Sequence, residues 1–205
     1  MNAPTPAPRT PVERRRIALA LAAGGLVLGV GAAITLAAWN DSEFATGTFS
    51  AGEFDLQGST DGAAFSSSPE APGKTLTFAL DADALSPGDV VYAPFAVQLS
   101  ADSDYAADVA LAHTIDGLIG EDLTFSLYPV ATFGATCSAA APPASTALVT
   151  DRAADAAGSV DALDLTAAAT PTNLCFVVTA GDDLTQGATG TITWEFIGTS
   201  TDPLP

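Results

Sequence analysis

The chain has 205 residues, 48% of them hydrophobic and 15% charged, and its 24 Asp and Glu against 6 Lys and Arg give a formal net charge of −18. Binding to nucleic acid needs a basic surface, so this composition excludes it. A single His excludes most zinc sites and any mechanism built on two imidazoles, while the apolar content is too high for a fully disordered chain.

The charge is unevenly placed. In residues 1–38, Arg9, Arg14, Arg15 and Arg16 stand against Glu13 alone, a formal +3; in residues 39–205, Lys74 and Arg152 stand against 23 acids, a formal −21. The first part opens with a Pro-rich run, Met1 to Pro11, expected to lack order, and a basic region at 9–16. An uncharged apolar run of 22 residues follows, Ile17 to Ala38. A basic flank before an apolar segment is the order of a secretory signal. The run exceeds the usual apolar region of such a signal and is long enough to span a bilayer. Small residues in Thr35-Leu36-Ala37-Ala38 offer a signal-peptidase site at Ala37 and Ala38, so residues 1–37 read as a signal peptide with its apolar region at 17–37. The other reading is an uncleaved anchor with Arg14 to Arg16 held on the cytoplasmic side. Both export the acidic part, as a secreted or surface-associated protein, and confine membrane contact to the N-terminal segment.

Ala37-Ala38-Trp39-Asn40-Asp41 and Thr48-Phe49-Ser50-Ala51-Gly52-Glu53-Phe54-Asp55-Leu56 form a distinctive junction. It resembles the SipW-dependent type of signal and mature N-terminus of the TasA and camelysin family of biofilm matrix-fibre proteins. Leu85-Ser86-Pro87-Gly88-Asp89, followed by a strand through Phe95 and Val97, is a second likeness; Ser100-Ala101-Asp102-Ser103-Asp104 stands where that family has an Asn-x-Gly turn. Thr191 to Phe196 is similar to the family's closing strand. The resemblance implies a jelly-roll sandwich, processing by a SipW-type signal peptidase, and self-association into filaments. In such filaments the mature N-terminal segment, here residues 38–52, acts as a donor strand. The inserted part would be Ala38 to about Gly47, or on to Phe49, with Trp39 and Phe44 as its anchors.

Independently of that likeness, the chain past Gly58 reads as short strands. Leu76, Phe78 and Leu80 alternate with Thr77 and Ala79, and Phe95, Val97 and Leu99 alternate with Ala96 and Gln98. Tyr105, Ala107, Val109, Leu111, His113 and Ile115 share one face of a long strand. Leu123, Phe125 and Leu127 repeat the pattern, as do Ile192, Trp194 and Phe196. Period two with one apolar face marks half-buried antiparallel strands. Turn signals at Asp61-Gly62, Pro72-Gly73, Pro87-Gly88-Asp89, Asp116-Gly117 and Gly181-Asp182 separate them. Pro94 lies inside a strand pattern and predicts an edge or a bulge there. Thr136 to Ala144 reads as a loop, and the Ala-rich Asp151 to Ala157 as one or two helical turns. The fold class is therefore all-β: an antiparallel β-sandwich over residues 53–198, preceded by an N-terminal hydrophobic signal helix and followed by a tail at 199–205.

Cys137 and Cys175 are the only cysteines, and an even count in an exported chain predicts a disulfide between them. Camelysin carries a protease label, but no His-Glu-x-x-His and no Gly-x-Ser-x-Gly occurs, and His113 falls on an inward-facing strand position. No enzyme activity and no cofactor are implied. Asp102, Asp104 and Asp108 form a weak calcium candidate without the EF-hand Gly and closing Glu; the plainer reading is a solvated acidic surface. Two functions follow as expectations: a subunit of a cell-surface or matrix fibre assembled by strand addition, or a monomeric secreted binding module for a carbohydrate or cell-wall ligand.

Overall fold

A computed structural model describes residues 11–35, 42–78 and 82–205. The chain forms two compact units, residues 1–49 and 50–205.

The first unit contains a helix, α1, Pro11–Thr35. Pro at its first position costs no hydrogen bond, Glu13 lies in the first turn where the helix dipole favours an acid, and the Ala- and Leu-rich body has high helix propensity. Apolar side chains are exposed around it, among them Leu19, Leu21 and Leu26. Among the described residues no helix is long and apolar enough to cross a membrane. The expected apolar run extends beyond them to Ala38, and Ala37, Ala38 and Trp39 lie outside the described residues.

The second unit is built of eight antiparallel strands: β1 Leu56–Ser59, β2 Val90–Leu99, β3 Tyr105–Gly117, β4 Leu123–Val130, β5 Val149–Ala153, β6 Val160–Leu165, β7 Thr172–Ala180 and β8 Gly190–Pro203. They form a five-stranded sheet in the order β1-β2-β7-β4-β5 and a three-stranded sheet in the order β6-β3-β8. The inner faces meet as a sandwich. Val97, Leu99, Phe125, Leu127, Leu174 and Phe176 of the larger sheet share one core with Val109, Leu111 and Leu165 of the smaller. Period two explains the sorting: on β3, Ala107, Val109, Leu111 and His113 are buried while Asp108 and Thr114 are exposed. At the end of β3, Gly117 takes φ 100°, and a Cβ there would sit 2.3 Å from the Thr189 carbonyl oxygen, so the turn requires glycine.

Four expectations are corrected. Leu76 and Phe78 pack against the core but belong to no strand, because their segment makes no ladder pairing; Leu80 lies outside the described residues. Asp151 to Ala157 is not helical. Its start is strand β5, with Arg152 opposite Phe125 of β4, and Asp151 takes φ 39°, which breaks a helix; pairing overrides alanine's propensity. The tail expected at 199–205 is mostly sheet, since β8 runs to Pro203 and the Leu204 N–H donates to the Asp104 carbonyl at 2.8 Å. Pro94 lies on β2, which is internal in the strand order. However, β1 pairs only with Ala96–Leu99, so the β1 side of β2 has no ladder partner at Pro94 among the described residues. Pro129 on β4 escapes in the same way, beyond the Thr124–Leu127 stretch that β5 pairs.

The outer face of the larger sheet is covered by the loop between β4 and β5. Cys175 alternates with inward-facing Leu174 and Phe176, and it is disulfide-bonded to Cys137 with Cα atoms 5.5 Å apart. Phe133 of the same loop packs against Gly62, where an added Cβ would come within 2.4 Å of its ring. The Asp61-Gly62 turn is tied at its base. Asp61 Oδ1 accepts from the Ala64 N–H (2.8 Å), the Ala63 N–H (2.9 Å) and the Ser59 hydroxyl (2.8 Å). These bonds hold its carboxyl at about 2, below the ordinary 3.8.

Closing the 38-residue separation contributes about 4 kcal/mol in the loop-entropy treatment. The Cys137→Ser, Cys175→Ser double variant is therefore expected to lose roughly that much in a denaturant titration, and the native chain to show no labelled thiol until reductant is added. The Asp61 contribution to stability is present above the unfolded value of 3.8 and is lost as pH falls through about 2. An acid titration comparing the native chain with Asp61→Asn should show the difference between them vanish at the acid end.

Candidate functional site

The segment that joins the two units is the feature from which function is built. Residues 42–55 form no regular secondary structure, and two aromatic side chains there are almost wholly exposed, Phe44 at 90% and Phe49 at 94%. Full exposure of two phenylalanines so close together is costly in water, because each leaves unburied the area that normally stabilises a core by about 1.5–3 kcal/mol. Phe54 and Leu56, further along, pack against the core.

Between them the chain is latched to the turn that follows β2. The Glu53 N–H donates to Asp104 Oδ2 at 2.7 Å, and the Asp104 N–H donates back to the Glu53 carbonyl at 2.9 Å. The Asp55 N–H donates to the Ser103 hydroxyl (3.1 Å), and the Ser100 N–H to the Asp55 carbonyl (2.9 Å). The Asp55 carboxylate accepts from Gln57 Nε2 at 2.9 Å and from the Ser67 hydroxyl. The hydroxyls of buried Ser100 and Ser103 are 3.0 Å apart. Gly52 completes the latch by close approach: a Cβ on it would lie 2.6 Å from the Tyr105 ring and 3.0 Å from Asp104 Oδ2. The Ser-Ala-Gly-Glu-Phe-Asp-Leu run is thus a docking strip, with glycine under a tyrosine ring and Asp55 as its polar hub.

Next to this strip lies an incomplete sandwich edge. β1 covers four residues of β2, and among the described residues Val90–Phe95 have no ladder partner on that side. β8, 14 residues long, pairs along β3 and is an edge of its sheet. Gly198 of β8 lies beneath Phe54 and Leu56, where a Cβ would meet their side chains at 3.2 and 3.5 Å. Phe95 and Phe196 stack across the sheets at 5.5 Å, and the Phe78 ring lies 6.3 Å from that of Trp194. Edge strands of this length usually carry lysine, an internal proline or a bulge against unwanted pairing. β8 has Glu195 and Asp202 as its only charges and its proline at the last position, and its one irregularity is a register shift near its end, between Ser200 and Pro203.

The other candidates separate. Cys137 and Cys175 meet as a disulfide, so neither offers a thiolate. Asp102, Asp104 and Asp108 do not form a group that could hold a metal ion: among the described residues no cluster of three His, Cys, Asp or Glu does. Asp104 is engaged by the Glu53 N–H, and Asp108 sits on the exposed face of β3. The two cations of residues 39–205 serve as loop clamps. Lys74 Nζ donates to the Ser66 carbonyl (2.8 Å) and the Ser68 hydroxyl (2.8 Å), and Arg152 Nη2 to the carbonyls of Ala157 and Gly158, both at 2.8 Å. His113 is buried against Phe125. Trp39 lies outside the described residues, so of the two expected anchors only Phe44 is placed.

Among the described residues no strand begins before Leu56, so Phe49 stands outside every ladder, a placement that the residue pattern does not signal. No protein-family model matches the chain, and no curated protein matches it.

The latch carries a test. Asp104→Ala removes one hydrogen bond to the chain at Glu53, worth about 1 kcal/mol, or roughly a fivefold change in local opening. Hydrogen exchange should speed by that factor at the Glu53 amide and stay unchanged at Phe176.

Proposed function

We propose that the chain is an exported structural subunit whose N-terminal segment adds as a strand to the sandwich of another copy, building a surface or matrix filament. The observation that carries the reading is the pairing of two almost wholly exposed phenylalanines, Phe44 and Phe49, with a sandwich that has a long edge strand in β8, regular from Gly190 to Ser200, and a β2 that β1 pairs over Ala96–Leu99 alone among the described residues. Strand addition satisfies both: main-chain hydrogen bonds fill the edge, and alternate side chains are buried. The sandwich is then read as a jelly roll with residues 1–37 removed by a SipW-type signal peptidase or kept as an anchor. Membrane contact is limited to that segment. The assembled protein is extracellular and acidic, has no nucleic-acid partner, and needs no cofactor.

Head-to-tail addition is heterologous, so it propagates into an open filament rather than closing as a dimer. The acidic surface restrains lateral clumping most strongly at low salt. Period two also sharpens the anchor assignment. Phe44 and Phe49 are five residues apart and face opposite ways in a regular strand, as do Trp39 and Phe44, whereas Trp39 and Phe49 share a face. One face enters the groove. The rival reading, a monomeric module that binds a carbohydrate or cell-wall ligand through its loops, calls for an exposed aromatic platform. The exposed phenylalanines lie in the linking segment instead, which favours assembly over loop recognition.

Deleting Ala38–Gly47 is expected to leave a folded monomer that forms no filaments under electron microscopy; filaments that persist would overturn the donor-strand role. Of Phe44→Ser and Phe49→Ser, one should abolish assembly and the other leave it nearly intact. Equal loss in both would reject a regular strand.

A further inference from the structure

The buried imidazole of His113 lies under the register-broken β5 edge of the larger sheet, and that juxtaposition goes beyond the assembly reading. We propose that β5 is an acid-released cover, held on β4 while His113 is neutral and lifted when His113 takes up a proton.

His113 is 8% exposed, and its ring meets the Phe125 ring edge-on at 4.8 Å. Both ring nitrogens are buried without a hydrogen-bond partner among the described residues, and so is Nε1 of Trp194, directly across the β3–β8 ladder. A neutral imidazole tolerates such a place at modest cost; an imidazolium, with two N–H donors and a full charge, does not. Besides the backbone of Ala153 on β5 and of Ala154 beyond it, which favours a proton on the ring, few groups face it. β4 presents Phe125 and β8 presents Trp194, neither of which titrates here. β5 presents the guanidinium of Arg152, which repels a second cation, and the turn after β5 presents Asp155, which attracts one. Burial and then Arg152 outweigh the backbone of Ala153 and Ala154 and the Asp155 carboxylate, and hold the imidazole below its ordinary 6.5.

The element above it is a short edge strand with few ladder pairs. β5 keeps three ladder pairs with β4, Thr124 with Ala153, Phe125 with Arg152 and Leu127 with Val149, and its register breaks between Phe125 and Leu127. The strained Asp151 sits at that break, with its N–H on the Ser126 hydroxyl at 2.8 Å. Beyond the pairs, only short connections flank it, Leu148 N–H to the Leu127 carbonyl (2.7 Å) and Ala154 N–H to the Leu123 carbonyl (2.9 Å). Water can reach a charged His113 most cheaply by lifting this strand and carrying Arg152 away with it. Release bares the β4 edge at Thr124–Leu127, a free strand edge able to pair with another chain.

The sign is fixed by linkage. An open state with an ordinary histidine binds more protons than the closed state below 6.5, so closure of β5 is complete above that value and weakens as pH falls below it. Hydrogen exchange on the full chain, compared at about pH 7.5 and about pH 5 after correction for intrinsic rates, reads this directly. Protection of residues 149–154 should fall about tenfold relative to β7, and the fall should disappear in His113→Leu and in His113→Gln. An unchanged β5, an equal fall in both variants, or a parallel loss in β5 and β7 would each overturn the proposal. Should neither variant fold, the imidazole titration of the native chain by NMR decides: a midpoint at or above 6.5 rejects it.

Discussion

The sandwich depends on one aromatic contact between its sheets. Trp194 of β8 lies 4.7 Å from Phe176 and 5.7 Å, edge-on, from Phe125, with Phe78 on its remaining side. These rings supply much of the area that removes β8 from water, since each aromatic buries far more surface than the alanines of β3 can offer. β3 contributes Ala107, Val109 and Leu111 to the core, and β8 adds the rings of Trp194 and Phe196. Trp194 shares the role of joining the sheets with Phe196, which meets Phe95 and Phe176, and with the buried Val109, Leu111 and Leu165. The orphaned indole N–H is the cost of placing so large a ring at the centre.

From that contact follows the asymmetry between the two sides of the sandwich. On the β8 side the rings reach to the edge, and Leu76 and Phe78, the latter 6.3 Å from Trp194, pack against the core without a strand to carry them. Burial there is apolar and leaves backbone groups unpaired in ladders. On the β5 side the position that mirrors Trp194 holds His113, and the covering strand is short and register-broken. One side is closed by hydrophobic area, the other by the neutrality of an imidazole. The loop tied by Cys137–Cys175 acts on a third surface, the outer face of the larger sheet, so the disulfide stabilises the fold without closing either edge.

Much of this was legible in the alternation of residues. The faces of β3, β4 and β8 follow from period two, and Asp61-Gly62, Pro87-Gly88 and Asp116-Gly117 turn where glycine's φ is positive. What stayed hidden is pairing. Leu76 to Phe78 alternates like a strand, but alternation reports which side chains are buried and not whether the backbone finds a partner. Asp151 to Ala157 has alanine's helix propensity, yet Phe125 and Leu127 offer β5 a ladder that a single helical turn cannot match. Pro94 gave a correct local signal with an incorrect inference, because an internal strand can have an uncovered stretch. The latch was invisible for the same reason. Gly52 needs no Cβ only because Tyr105, 53 positions on, lies over it, and Asp104 looked like a metal ligand until its partner at Glu53 was known.

The latch also bears on how a strand could leave one copy and enter another. A donor segment must be held at its root and free beyond it, or the subunit loses its own edge when it donates. Asp55, Gly52 and the Ser100–Asp104 turn fix the root at residues 52–55, and the hydrogen bonds of Glu53 point into its own sandwich. Ahead of that point the chain carries Phe44 and Phe49 and no ladder bonds among the described residues. Loosening the root would lengthen the free segment and raise the entropy lost on insertion, roughly 1–2 kcal/mol for each residue ordered. A subunit built this way gains from a short arm on a rigid shoulder, and the polar strip from Gly52 to Asp55 is that shoulder.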